Sequence, residues 1–171
     1  MAMQGGTDAA KGSSRHSGGC LCGKMRYATE GQPLRVTICH CTFCQRLTGS
    51  AYLVEPIFRR DDVDLAAMPK EFELKSTGSG KTVRVNFCGD CGTTLFLSFE
   101  RFPEYIGVCA GTFDDPNWFD RGPGTCRHIF TRSAQAGVVL PAHVEIYPGH
   151  AIGLDGSPNS PTILAAPQAA R

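Results

Sequence analysis

Seven of the chain's nine cysteines fall in three tight groups, and this distribution constrains the fold more than any other feature. Cys20 and Cys22 lie in "GGCLCG", Cys39, Cys41 and Cys44 in "CHCTFC", and Cys88 and Cys91 in "FCGDCG". Cys109 and Cys126 stand apart from them. An odd number of cysteines does not suit a disulfide framework, and the opening stretch "MAMQGGTDAAKGSSRHSGG" holds no apolar core of a secretion signal. The expectation is a cytoplasmic protein whose grouped thiols stay reduced, where such groups bind metal or take part in catalysis. Zinc is the metal that thiolate clusters of this spacing select.

The remaining composition sets bounds. A chain of 171 residues, 42% hydrophobic and 19% charged, can build one domain with a substantial core. Its formal net charge of +1 makes no electrostatic case for nucleic acid or an anionic membrane as partner. No apolar run approaches the roughly 20 residues that a membrane-spanning helix needs. Residues 1–15, rich in Gly and Ser, read as a flexible leader. Residues 16–148 read as the folded zinc-binding domain, and residues 149–171 as an extended or disordered tail. Within the domain the pattern is mainly β. "TVRVNFC" puts Val83, Val85 and Phe87 on one face, and "TLFLSF" puts Leu95, Leu97 and Phe99 on one face with Phe96 opposite. Only short helices are expected, near residues 43–47 and 69–72.

The cysteine groups divide by valence. Cys20, Cys22, Cys88 and Cys91 make four thiolates, enough for a closed tetrahedral zinc site that ties distant segments together. The glycines after Cys88 and Cys91 let backbone amides approach the sulfurs. Cys39, Cys41 and Cys44 supply three thiolates, and three protein ligands plus one open position is the arrangement of catalytic zinc. Three thiolates on a divalent ion leave a net charge of about −1, poorly suited to making hydroxide but able to accept a soft external thiol as thiolate. Other readings stand beside this one. His40 could complete the triad, Cys109 or Cys126 could do so, or the triad could form a transient disulfide. Among nearby polar residues, Arg46 and Ser50 are candidates to contact a bound thiol, and His128 is a further one. Asp114 and Asp115 in "GTFDDP" suit turn chemistry better than proton transfer.

With these elements in order, the chain resembles the glutathione-dependent formaldehyde-activating enzyme family, which also includes centromere protein V. The likeness runs over residues 16–148 and rests on "GGCLCGKMRY", "CHCTFCQRLTGSAY", "FCGDCGTTLF", "GTFDDP" and "RHIFTRS" in the family's order. The resemblance implies a zinc-bound, single-domain β-tent fold with two zinc ions per chain. It implies a structural ion on Cys20, Cys22, Cys88 and Cys91, and a catalytic ion on Cys39, Cys41 and Cys44. It further implies a carbon–sulfur lyase that joins glutathione to formaldehyde as S-hydroxymethylglutathione. A thiol carrier without catalysis, or a protein-interaction module of the same fold, are the alternatives. The near-neutral charge counts against a chromatin role.

Overall fold

The structure is a computed structural model that describes residues 14–170. Most of the leader expected for residues 1–15 lies outside the described residues, and Arg15 already begins a strand. The chain runs through β1 (Arg15–Gly19), β2 (Arg26–Glu30) and β3 (Arg35–Cys39) into α1 (Thr42–Thr48). It continues through β4 (Leu53–Arg59), β5 (Val63–Leu65), β6 (Lys70–Lys75), β7 (Thr82–Phe87), β8 (Thr94–Phe99) and β9 (Tyr105–Val108). The last strands are β10 (Cys126–Ile129), β11 (Val139–Leu140), β12 (Glu145–Ile146), β13 (Thr162–Ile163) and β14 (Gln168–Ala169). The mainly-β expectation holds, with one short α-helix among the described residues. The helix expected near residues 69–72 is instead the start of β6, because Phe72 and Leu74 alternate with charged residues and pair in register with Val85 and Val83.

Nine strands make one sheet in the order β13-β12-β10-β3-β4-β9-β8-β7-β6, and a separate sheet β1-β2-β5 packs against it. Successive residues of a strand point to opposite faces, and here both faces are buried. In β8, Phe96 joins one core with Phe58, Val36, Val108 and Tyr27, while Leu97 joins another with Val85, Leu53 and Ile129. The expected split of Leu97 and Phe99 from Phe96 is therefore seen. Leu95, expected on the face of Leu97, instead joins the core of Phe96 because the pairing with β7 shifts register at Asn86/Phe87, and neither face meets water. Each core also holds thiols: Cys20 and Cys88 lie in the first, Cys39 and Cys44 in the second. The sheet thus separates the two cysteine centres.

Close approach explains particular glycines. A Cβ on Gly107 in β9 would collide with the carboxylate of Glu55 on neighbouring β4, so that carboxylate lies across the bare backbone. Gly18 in β1 admits the Tyr27 ring in the same way. Residues 150–170 dock on the domain, with residues 152–158 folded back on themselves through the Ile152–Pro158 bridge. Thr162–Ile163 adds to the sheet beside β12, and Gln168–Ala169 pairs with β11.

Candidate metal centres and adjoining groove

The four-cysteine cluster arises where two turns meet at strand ends. Cys20 directly follows β1, and its amide bonds to the Met25 carbonyl at 3.0 Å; Cys88 directly follows β7, and its amide bonds to the Thr93 carbonyl at 2.9 Å. Gly92 takes φ 73°, a left-handed value that a side chain would strain, and its amide closes the turn on the Cys88 carbonyl. Lys24 and Asp90 join the two turns through a 2.8 Å ion pair. All four sulfurs fall within 4.8 Å of one another, with Cys20–Cys22 at 3.5 Å and Cys22–Cys88 at 3.8 Å. Ligands about 2.3 Å from a tetrahedral zinc stand about 3.8 Å apart, so the spacing fits such an ion. The Met25 amide donates to the Cys20 sulfur at 3.2 Å, and the Thr93 hydroxyl lies 3.1 Å from the Cys91 sulfur. The Thr93 hydroxyl and amide, then the Cys22 amide, bring the Cys91 thiol down to about 5, which favours the thiolate that a metal takes.

The three-cysteine cluster is built by one strand-to-helix turn. Cys39 is the last residue of β3, Cys41 caps α1, and Cys44 lies in its first turn. The Cys44 amide donates to the Cys41 sulfur at 3.4 Å, and Gly49 ends the helix at φ 63°. The three sulfurs lie within 4.8 Å of one another, and no His, Cys, Asp or Glu atom among the described residues joins them as a fourth. Contacts from Cys39 and Cys44 draw the Cys41 thiol down to about 3, while the same contacts push Cys39 and Cys44 up. Three sulfurs this close are a donor set that a divalent ion fits. Cys39 and Cys44 are buried and Cys41 is half-buried, so access is from the Cys41 side.

The alternatives for a fourth ligand are placed elsewhere. His40 is fully buried, and its Nε2 lies 3.0 Å from Nδ1 of His128. Burial, with His40 beside it, brings His128 down to about 4, and burial also lowers His40, so the pair is neutral at pH 7 with one ring donating to the other. Cys109 lies in the triad's core without joining its sulfurs, and Cys126 lies in the opposite core. All nine cysteines are free thiols. Gln45 holds the ligand turn: its side-chain amide donates to the carbonyls of His40 at 2.7 Å and Ser133 at 2.8 Å. Asp114 pairs with Arg26, and Asp115 accepts from the Asn117 amide at 2.9 Å, as turn residues do.

A groove of about 580 Å³ lies between the end of α1, the start of β4 and the loop carrying Pro116, Asn117 and Arg121. Thr48, Ser50 and Tyr52 line one side, and Gly92 of the four-cysteine turn and Thr94 at the start of β8 reach it from another. Leu53, in register with Cys39, and Cys109 form part of its wall and belong to the core that also holds Cys39 and Cys44, so this wall is the side of the groove toward the triad. Of the three residues considered for substrate contact, Ser50 is brought to this groove. Arg46 is exposed in the last turn of α1 and does not line it. His128 is buried against His40 and does not line it either. Arg121 and Tyr52 had no signal in sequence order, being brought in by a loop and a strand start. Glu55 had one: it is an acid in the apolar run "AYLVEPIF", and it is buried at 6% exposure with Oε1 unpartnered.

Comparison with known proteins places these features in context. No curated protein matches the chain. A crystal structure of a Rhodobacter sphaeroides protein from a structural genomics programme is 20% identical, aligning over 57% of this chain and 87% of its own at a TM-score of 0.46. The sequence profile is different in reach. It is described as glutathione-dependent formaldehyde-activating enzyme and matches residues 15–133, from β1 to Ser133, whose carbonyl accepts from Gln45. On that match, over more than two thirds of its length, the chain belongs to the glutathione-dependent formaldehyde-activating enzyme family.

Proposed function

We propose that the protein is a zinc-dependent carbon–sulfur lyase acting on a glutathione adduct of a small aldehyde, in the manner of an S-hydroxymethylglutathione synthase. The observation that carries this reading is the three-sulfur cluster with no fourth protein ligand among the described residues, beside a groove of molecular size. In this reading Cys20, Cys22, Cys88 and Cys91 hold a structural zinc, and Cys39, Cys41 and Cys44 hold a second, catalytic one. When bound at the triad, zinc supplies an open coordination position that favours an external thiol in its ionised form. The chain's own part is to position that sulfur. α1 and its Cys41 cap fix the three donors, Gln45 ties the turn to the Ser133 carbonyl, and the apolar core around Cys39 and Cys44 keeps water from their inner side. In the reaction the glutathione sulfur bonds to the carbonyl carbon, the C=O π pair moves to oxygen, and the proton given up by the thiol ends on that oxygen. The family points to glutathione as the small-molecule partner. No helix among the described residues is long and apolar enough to cross a membrane, and a cytoplasmic site of action is part of the proposal.

The test is zinc content, glutathione affinity and the rate of S-hydroxymethylglutathione formation for the wild type and Cys41→Ser. Two zinc ions per chain and a rate above the spontaneous one, lost in Cys41→Ser, are expected. Glutathione binding without any rate increase would identify a thiol carrier instead. A single zinc retained by Cys41→Ser with unchanged rate would remove the triad from the mechanism.

A further inference from the structure

The geometry points to Arg121 as the anchor for a carboxylate of the bound thiol tripeptide, with the groove it lines as the binding site. This inference deepens the proposed reading, on which it rests for the choice of glutathione as ligand. Among the described residues, Arg121 is the one basic side chain lining the groove, and no acidic side chain lines it. Its guanidinium is exposed but is oriented by two contacts. One Nη2–H donates to the Pro116 carbonyl at 2.6 Å, and the group lies 4.9 Å from the centre of the Phe119 ring. The remaining N–H groups are left for another acceptor, and no carboxylate among the described residues forms an ion pair with Arg121. An arginine whose orientation is already fixed loses less freedom when it binds a carboxylate through its planar fork.

The rest of the groove matches the same ligand. The hydroxyl of Ser50 and the side-chain amide of Asn117 offer partners to a peptide backbone, while Leu47, Leu53 and Ala110 supply apolar wall. A tripeptide lying here would have its thiol end toward the side formed by Leu53 and Cys109, nearest the triad, and a carboxylate toward Arg121. Arg46, the nearest arginine in sequence, serves the helix instead: its charge sits in the last turn of α1, where a cation is favoured. The groove therefore selects for a thiol carrying a carboxylate over a simple thiol.

S-methylglutathione separates this inference from the catalytic one, because it has both carboxylates and no thiol to enter the triad. Titration calorimetry on the zinc-loaded full chain would compare the wild type, Arg121→Ala, Arg121→Lys and Arg46→Ala. Arg121→Ala is expected to weaken S-methylglutathione about tenfold or more, Arg121→Lys less, and Arg46→Ala not at all. Equal affinity in Arg121→Ala and wild type, or a loss confined to Arg46→Ala, overturns the assignment, as does failure of the wild type to bind S-methylglutathione. If binding depends on Arg121 while no S-hydroxymethylglutathione is formed above the spontaneous rate, the groove assignment stands and the lyase reading falls.

Discussion

Replacing Glu55 with Gln should make the protein more stable at alkaline pH and leave it nearly unchanged in acid. Glu55 sits on β4 opposite Thr37 of β3, with its carboxylate over Gly107 and no hydrogen-bond partner for Oε1. Burial drives its carboxyl from an ordinary 4.5 up to about 8; the Arg35 and Arg127 charges oppose the rise, and the Cys41 thiolate adds to it. The folded state therefore holds a proton that the unfolded chain releases between about pH 4.5 and 8. Stability from this group is full below the lower value and is lost as pH rises toward the upper one. The gap of about 3.5 pH units corresponds to about 5 kcal/mol at roughly 1.4 kcal/mol per unit. Gln has the shape of the protonated acid and does not ionise. Urea unfolding of both zinc-loaded proteins from pH 5.5 to 9 measures the effect, and the pH dependence of metal binding cancels in the difference. The advantage of Glu55→Gln should be about 1 kcal/mol at pH 5.5, about 3 at pH 7 and about 5 near pH 9. A difference independent of pH would show that Glu55 is ionised and paired in the folded protein, and would refute the reasoning.

Gly107→Ala should cost about 1–3 kcal/mol, since its Cβ displaces the Glu55 carboxylate, and a Glu55→Ala background should recover most of that in a double-mutant cycle. Cys88→Ser should lower stability by several kcal/mol because a closed metal site contributes folding energy directly, whereas Cys41→Ser should lose one zinc per chain and keep the fold; metal analysis with thermal unfolding reads both. Removing residues from 160 onward takes away β13 and β14, and should lower the unfolding temperature by a few degrees while both metal sites stay loaded. His143→Gly should be neutral to slightly stabilising, by at most about 1 kcal/mol, because His143 is exposed at φ 61°, where glycine carries no steric penalty; chemical denaturation checks it.

The cysteine centres were legible in the sequence because their geometry is mostly local. A strand ending at Cys39, a cap at Cys41 and a helical turn at Cys44 place three sulfurs together within six residues, whatever the rest of the chain does. Each remote pair likewise sits in its own short turn, and counting valence was enough to join Cys20 and Cys22 with Cys88 and Cys91. Alternation identified β7 and β8, but it could not say that both faces of β8 are buried, since that depends on what packs above and below. The short Pro69–Phe72 stretch was read as helix because four residues carry too little periodicity; pairing with β7 decided for strand.

The substrate contacts were the least legible part, for the same physical reason. Proximity in sequence favoured Arg46, yet the helix turns it out to solvent, while the loop bearing Pro116 and Phe119 delivers Arg121 to the groove. His40 and His128 meet because β10 pairs in parallel with β3, and Glu55 becomes an isolated acid only when β9 and β3 close around it. The sequence by itself determined the donor atoms and their grouping, since coordination chemistry depends on residue type and short spacing. Tertiary structure alone decided which side chains surround them, because burial, charge and reach are set by strands that meet across the whole chain.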